Sequence, residues 1–193
     1  CVAGDTLLLS ELHKLNDAQQ SYIIRRWLKQ WQLNPSSQWL QVLQRDVIAA
    51  REDANPILQL DHYQLRRFAD ALYVLTAKQC TPVKQHLLWQ GDADVVLPDQ
   101  AGSLHFASQS TEQALPLCGG KVEVVFGQLS MRFKPYASAH SKPLKQWFKL
   151  WQVPPWQRLR IPLILVDGEL LLVAGHSSAV APAQASYWVS WHH

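Results

Sequence analysis

The spacing of apolar residues near the start of the chain predicts two helices. One is predicted over residues 17–32, with an apolar stripe at helical spacing formed by Ile23, Ile24, Trp27, Leu28 and Trp31. A second is predicted from Ser36 or Ser37, either of which can cap it, to about Arg51. Asn55-Pro56 then ends the helical pattern, because a residue that precedes proline disfavours the helical conformation.

From Ile57 onward the apolar residues follow the period of strands. Turns at Asp61-His62 and Asp70-Ala71 divide residues 57–76 into a small β-meander, and residues 76–86 are predicted to form a linker. One further helix is predicted at about residues 142–152, and further strands at residues 94–97, 104–107, 122–126, 131–133, 161–166, 169–174 and 187–191.

These elements predict an α+β protein with two domains. The first, over residues 1–78, is mainly helical and ends in the small β-meander. The second, over residues 86–193, is a mixed, strand-rich α/β domain with one basic amphipathic helix.

Charged residues are distributed unevenly along the chain. Residues 1–120 hold 10 Lys/Arg and 12 Asp/Glu, and residues 161–193 hold two acidic residues and no Lys or Arg. Residues 121–160, which we name the basic block, hold eight Lys/Arg against Glu123 alone, a net charge of +7. Such a concentration of positive charge is typical of a surface that meets phosphate.

The helix within the basic block is predicted to separate aromatic residues from lysines. Its apolar side carries Leu144, Trp147, Phe148 and Trp151. Its opposite side carries Lys142, Lys145 and Lys149. Three lysines on one face repel each other unless a polyanion neutralises them. A structural corner is expected after the helix, formed by Pro154, Pro155 and Trp156.

We therefore predict that the basic block binds RNA, through Arg132, Lys134, Lys142, Lys145, Lys149, Arg158 and Arg160. Two other interpretations remain open: a solvated basic face on an ordinary packing helix, and a protein–protein interaction module with exposed tryptophans as anchors. Solvent accessibility separates the classes. Buried tryptophans with outward lysines favour RNA, and an exposed tryptophan patch favours a protein partner.

The sequence contains no recognisable catalytic or metal-binding motif, so we predict neither kind of site. Cys1, Cys80 and Cys118 are odd in number and far apart, which is typical of reduced thiols in a cytoplasmic protein. The longest apolar run is too short to cross a membrane. The chain begins with cysteine instead of methionine, and we expect it to be part of a longer protein.

The residues around the predicted corner resemble the C-terminal domain of the tRNA(Ile)-lysidine synthetases. The positions that match are Lys145, Pro154, Pro155, Trp156, Arg158 and Arg160. Residues 24–28, 50–56, 66–68 and 72–73 resemble the same family's middle domain. The sequence departs from the family pattern at Gln146, where the family has a second lysine, at Leu159, where it has aspartate, and at Gly127-Gln128-Leu129, where it has Gly-Gly-Glu.

The resemblance implies a role in tRNA modification. The family joins the ε-amine of lysine to C2 of the wobble cytidine, position 34, of the AUA-reading tRNA(Ile). It activates that carbon with ATP in an N-terminal adenylating domain marked by a Ser-Gly-Gly-x-Asp-Ser loop, a motif that this sequence does not contain.

The chain is therefore expected to be a tRNA-binding portion that is inactive in ligation alone. The resemblance implies tRNA(Ile) and the N-terminal catalytic domain as partners, with ATP and Mg²⁺ bound in that other domain. It leaves open whether the protein forms a homodimer.

Overall fold

The computed structural model describes residues 1–3, 5–51, 54–91, 93–108, 113–115, 120–184 and 187–192. Cys118 and the pair Glu52-Asp53 of the family-like segment lie outside the described residues. The chain divides into two compact units, Cys1–Ala77 and Lys78–His193. The mixture of helices and antiparallel sheets confirms the predicted α+β class.

The first predicted helix is confirmed in the first unit. Helix α1 (Leu9–Leu12) is short, and helix α2 (Asp17–Leu28) continues as a 3₁₀ turn over Lys29–Trp31. The Asn16 side chain accepts a hydrogen bond from the Gln19 amide, and the Gln19 side chain accepts one from the Asn16 amide. This capping box satisfies two backbone donors at the helix start.

The second predicted helix begins at Ser37, with Ser36 as its N-cap, in agreement with the prediction that Ser36 or Ser37 caps it. In helix α3 (Ser37–Val42), the Ser36 hydroxyl accepts a hydrogen bond from the Trp39 amide at 3.1 Å. The helix then widens into a π-helical segment, Leu43–Ile48. The Arg67 guanidinium donates to the carbonyls of Ile48 and Ala50, so carbonyls at this helix end are satisfied by a strand residue.

The predicted β-meander is also confirmed, within a larger sheet. Strands β1 (Val2–Ala3), β2 (Thr6–Leu8), β3 (Ile57–Leu60), β4 (Tyr63–Phe68) and β5 (Ala71–Thr76) form one antiparallel sheet in the order β1-β2-β5-β4-β3. The two N-terminal strands were not predicted. The second turn lies at Ala69-Asp70, one residue earlier than predicted, because Ala71 already pairs with Phe68.

The core of the first unit lies between the helices and one face of this sheet. Trp27 and Leu28 of α2 pack there with Leu65 of β4 and Leu72 of β5. All four side chains are fully buried, so the apolar stripe of the predicted helix is the stripe that the fold buries.

The described strands of the second unit form three sheets. Strands β6 (Leu87–Leu88), β10 (Val122–Val125), β13 (Leu163–Val166), β14 (Glu169–Val173) and β15 (Ser177–Ser178) form an antiparallel sheet in the order β15-β14-β13-β10-β6. Strands β7 (Asp94–Val96), β8 (Ser103–Ala107), β9 (Gln113–Leu115) and β16 (Tyr187–His192) form a second, in the order β7-β8-β16-β9. The third is the pair β11 (Arg132–Phe133) and β12 (Lys142–Pro143).

The described elements also include three short α-helices, α4 (Ala77–Cys80), α5 (Leu144–Leu150) and α6 (Pro155–Arg158), and 3₁₀ turns over Pro98–Gln100 and Pro182–Gln184. The helix predicted over residues 142–152 is therefore shorter at both ends. Lys142 lies in β12, opposite Phe133, and Pro143 has the extended backbone of a residue that precedes a helix. Within the part of the chain that the structure describes, no helix is both long and apolar enough to cross a membrane.

The segment that the sequence predicts as a linker packs into the second unit from Lys78 onward. Val83 is buried, and its amide donates to the Leu159 carbonyl. The carbonyls of Lys78 and Thr81 each accept a hydrogen bond from Arg160.

Candidate nucleic-acid interface

Helix α5 separates aromatic from basic side chains, as its sequence pattern predicts. Leu144 and Phe148 are fully buried, and Trp147 is 8% exposed. The Trp147 indole N–H donates to the Phe133 carbonyl at 2.8 Å, which satisfies its polar atom inside the core. Lys145 and Lys149, one turn apart on the same helix face, are exposed.

The burial of the tryptophans distinguishes between an RNA ligand and a protein partner, the two classes of partner that the sequence left open. Trp147 and Trp156 are both buried, and Trp151 is half-buried against Phe133 and Phe148. Two of the three predicted anchors of a protein interface are therefore core residues and the third is half-buried, while Lys145 and Lys149 of the same helix are exposed. This arrangement favours an anionic ligand over a protein docked on exposed tryptophans.

Lys142 does not share the surface of the other two lysines. Its ammonium group lies 5.1 Å from the centroid of the Trp147 ring, a cation–π geometry. The expectation of three lysines in one helical row is therefore wrong: Lys142 precedes the helix and lies beside the aromatic side. The row consists of Lys145 and Lys149.

A column of stacked rings supports the inner side of α5. Trp147 stacks on Trp151 with centroids 5.6 Å apart, and Trp151 stacks on His176 at 5.1 Å with the planes 3° apart. Burial lowers the pKa of His176, because the imidazolium form loses solvation that the stacked rings do not replace. The sequence pattern gave no signal for His176, which reaches this column from the turn after β14.

The lowered pKa of His176 makes the stability of the second unit depend on pH. Because the folded-state pKa lies below the unfolded value of about 6.5, this histidine favours folding fully above that value, and the contribution is lost as the pH falls through the folded pKa. We expect the urea midpoint of the chain to fall between about pH 7.5 and about pH 5. His176→Phe, which keeps a stacking ring but cannot titrate, is expected to show a smaller fall. Equal falls in the two proteins would contradict the assignment.

Two further predicted cations lie at the β11–β12 hairpin. Arg132 and Lys134 are both exposed, on either side of the buried Phe133. The Arg132 guanidinium donates one hydrogen bond, to the Ser141 carbonyl at 2.6 Å. Since a guanidinium has five N–H donors, most of them remain available to a ligand.

The predicted corner residues lie between α5 and α6. Gln152 has a positive φ of 56°, and the Val153 amide donates back to the Phe148 carbonyl at 2.8 Å, which ends the helix. Pro154 and Trp156 are buried, and Pro155 begins α6. The chain therefore turns between α5 and α6, and the buried Trp156 side chain lies at this turn.

Arg158 and Arg160 both donate hydrogen bonds to backbone carbonyls of the protein. The Arg158 Nε donates to the Val153 carbonyl at 2.8 Å, and partial burial lowers the pKa of its guanidinium. Arg160 is 9% exposed and donates to three backbone carbonyls at 2.7 to 2.8 Å, those of Lys78, Thr81 and Asp99. Its guanidinium thus joins segments of the second unit that are far apart in sequence and does not face solvent.

The seven predicted RNA-binding residues therefore divide into two groups. Lys142, Arg158 and Arg160 are half-buried or buried and contact the protein. The other four are exposed, and we name them the cationic set: Arg132, Lys134, Lys145 and Lys149. Among the ion pairs of the described chain, none involves the cationic set.

The acidic residue of the basic block, Glu123, forms its ion pairs outside the cationic set. Glu123 accepts a hydrogen bond from Lys121, and this ammonium group lowers the pKa of the carboxyl. Within the described ranges, no cluster of three His, Cys, Asp or Glu side chains that could hold a metal ion occurs.

Two domain families match the two units of the chain. Residues 7–73 match the model described as the TilS substrate binding domain, and residues 122–191 match that of the TilS substrate C-terminal domain. The cationic set lies entirely within the second match.

Curated relatives agree with these matches. The chain is 35% identical over 190 residues to a tRNA(Ile)-lysidine synthase of Serratia proteamaculans, covering 89% of this chain and 42% of the relative. Enzymes of the same name from Pectobacterium atrosepticum (33% identical, covering 96% of this chain and 42% of the relative) and Vibrio atlanticus (31%, covering 86% and 39%) are also similar. The chain thus spans about two fifths of the length of these relatives.

Proposed function

Because the chain belongs to the tRNA(Ile)-lysidine synthase family and carries its substrate-binding and C-terminal domains, we propose that the cationic set holds the sugar–phosphate backbone of tRNA(Ile). The observation that carries the proposal is the composition of this surface. Four exposed cations have no carboxylate partner among the described residues, and the aromatic residues of helix α5, Trp147 and Phe148, are buried.

Backbone contacts of this kind position an RNA without reading its sequence. Lysine and arginine side chains neutralise phosphates and release the counterions condensed on them, which supplies affinity. A double-stranded region of tRNA displays its phosphates and 2′-hydroxyls, while its deep, narrow major groove hides most base edges. We therefore assign the second unit the task of holding the tRNA body.

In this proposal, the two units of this chain bind tRNA, and another domain carries out the ligation of lysine. The family joins lysine to C2 of the wobble cytidine after activation of that carbon with ATP, and the adenylating loop that marks this step is absent from the sequence. We propose that a cytoplasmic adenylating domain, the site of ATP and Mg²⁺, acts on the tRNA that this chain holds. The chain alone is expected to bind tRNA without modifying it.

A salt titration of tRNA binding tests the proposal. If four phosphate contacts form, a plot of the logarithm of the association constant against the logarithm of salt concentration has a slope of roughly −3 to −4. Filter binding of labelled tRNA(Ile) to the chain at several salt concentrations provides the measurement. A slope near zero, or no binding at low salt, would show that the cationic set does not hold RNA backbone.

A further inference from the structure

An exposed tyrosine lies in the loop of the β11–β12 hairpin, inside the basic block. The loop covers residues 134–141, in which Lys134 points outward, Pro135 is buried and Tyr136 is 54% exposed. Most of the other aromatic rings described in the second unit are buried or half-buried. Tyr136 therefore presents an apolar ring to solvent at a position surrounded in sequence by cations.

The loop that carries Tyr136 is held by hydrogen bonds at several points. The Tyr136 amide donates to the Ser178 carbonyl of β15 at 3.0 Å, and the Ser138 amide donates to the Pro135 carbonyl at 2.9 Å. The Ser138 hydroxyl exchanges hydrogen bonds with the backbone of His140, and Arg132 donates to the Ser141 carbonyl. The ring is thus displayed from a fixed backbone, which reduces the entropy lost when a ligand orders it.

The Tyr136 ring does not pack against other aromatic rings in the described part of the fold. No ring contact or cation–π contact involves it among the described residues, in contrast to the column of Trp147, Trp151 and His176. Between Glu123 and Asp167 the sequence has no carboxylate, so the neighbourhood of Tyr136 along the chain is uniformly basic. An exposed aromatic ring on a fixed backbone, among cations that have no carboxylate partner in the described part of the chain, matches the surfaces on which single-stranded nucleic acids stack their bases.

We propose that Tyr136 stacks on an unpaired nucleobase of the bound tRNA, next to the backbone that the cationic set holds. The inference rests on the proposed function and adds a base contact to it. Bases inside a stem are already stacked on both faces, so a protein ring can stack only on a base at a helix end or in a single strand. Tyr136 therefore recognises a junction between paired and unpaired RNA, which backbone contacts alone cannot do.

Binding of two RNA hairpins by the chain tests this inference. One hairpin has a blunt stem, and the other has the same stem followed by a short unpaired 3′ tail with 2-aminopurine as its first tail base. Wild-type protein is expected to bind the tailed RNA roughly tenfold more tightly and to quench its 2-aminopurine fluorescence by stacking. Tyr136→Ala is expected to lose both the preference and the quenching, with an unchanged salt slope.

Tyr136→Phe is the matched control, because it keeps the ring and removes the hydroxyl. It is expected to retain the preference for the tailed RNA within about twofold. If Tyr136→Phe loses as much as Tyr136→Ala, the tyrosine acts as a hydrogen-bond donor and the stacking inference is wrong. It is also wrong if wild type binds both hairpins equally with a steep salt slope, a result that leaves the proposed function intact. Absence of salt-dependent binding to either hairpin would instead overturn the proposed function itself.

Discussion

Replacing both Lys145 and Lys149 by alanine is expected to weaken tRNA binding by roughly thirtyfold at about 0.15 M salt. Both ammonium groups are exposed on one face of α5 and have no carboxylate partner among the described residues. Each lost phosphate contact is expected to reduce the magnitude of the salt slope by about one, so the double variant should lose about two. Filter binding over a range of salt concentrations measures both quantities.

Two control variants separate charge from the integrity of the helix. Gln146→Ala combined with Leu150→Ala truncates two exposed neutral side chains of the same helix, and it should leave affinity within about twofold. Arginine at both lysine positions retains the charge and should retain the salt slope. If the neutral pair weakens binding as much as the lysine pair, the lysines do not contact phosphate and act only through the helix.

Arg160→Ala is expected to destabilise the second unit by about 4.5 kcal/mol. The substitution removes three hydrogen bonds from a charged donor, each worth about 1.5 kcal/mol or more. The carbonyls that lose this donor belong to Lys78, Thr81 and Asp99, so the segment before β6 and the turn before β8 would both lose an attachment. Urea unfolding, with hydrogen exchange of β13 amides to identify the second unit, measures the loss.

Arg158→Ala provides the comparison for this prediction, because Arg158 donates one hydrogen bond where Arg160 donates three. Because this one hydrogen bond also comes from a charged donor, the expected loss is about 1.5 kcal/mol. Arg160→Lys, which keeps the charge but not the fork of donors, should recover only part of the stability and should bind tRNA with the wild-type salt slope. If an Arg160 variant kept its stability but the magnitude of its salt slope for tRNA binding fell by about one, Arg160 would contact phosphate instead.

Local pattern was sufficient to predict much of the fold. The apolar stripe of α2 lies in the core, Ser36 caps α3, and the strands of the meander follow their alternating residues. These features depend on neighbours within a few residues, which a sequence displays directly. Strand β2 was missed because its short run becomes a strand by pairing with β5, more than 60 residues away, and β1 was missed because it pairs in turn with β2.

The position of Lys142 shows where local pattern fails. Its spacing from Lys145 and Lys149 fits a helical row, and a proline in the first turn of a helix is no obstacle to that interpretation. The pairing of Lys142 with Phe133 holds it in a strand instead, and its ammonium group then meets the Trp147 ring. Periodicity cannot report a strand partner, because that partner contributes nothing to the local spacing.

The sequence by itself determined the concentration of positive charge in residues 121–160, the aromatic side of α5 and the resemblance to the lysidine synthetases. Tertiary structure alone decided which of those charges face solvent. Lys145 and Lys149 remain exposed, whereas Arg160 is withdrawn by carbonyls that lie 61 to 82 residues away in the chain. The physical reason is that a guanidinium is available to a ligand only if backbone acceptors do not already surround it, and those acceptors are brought together by folding.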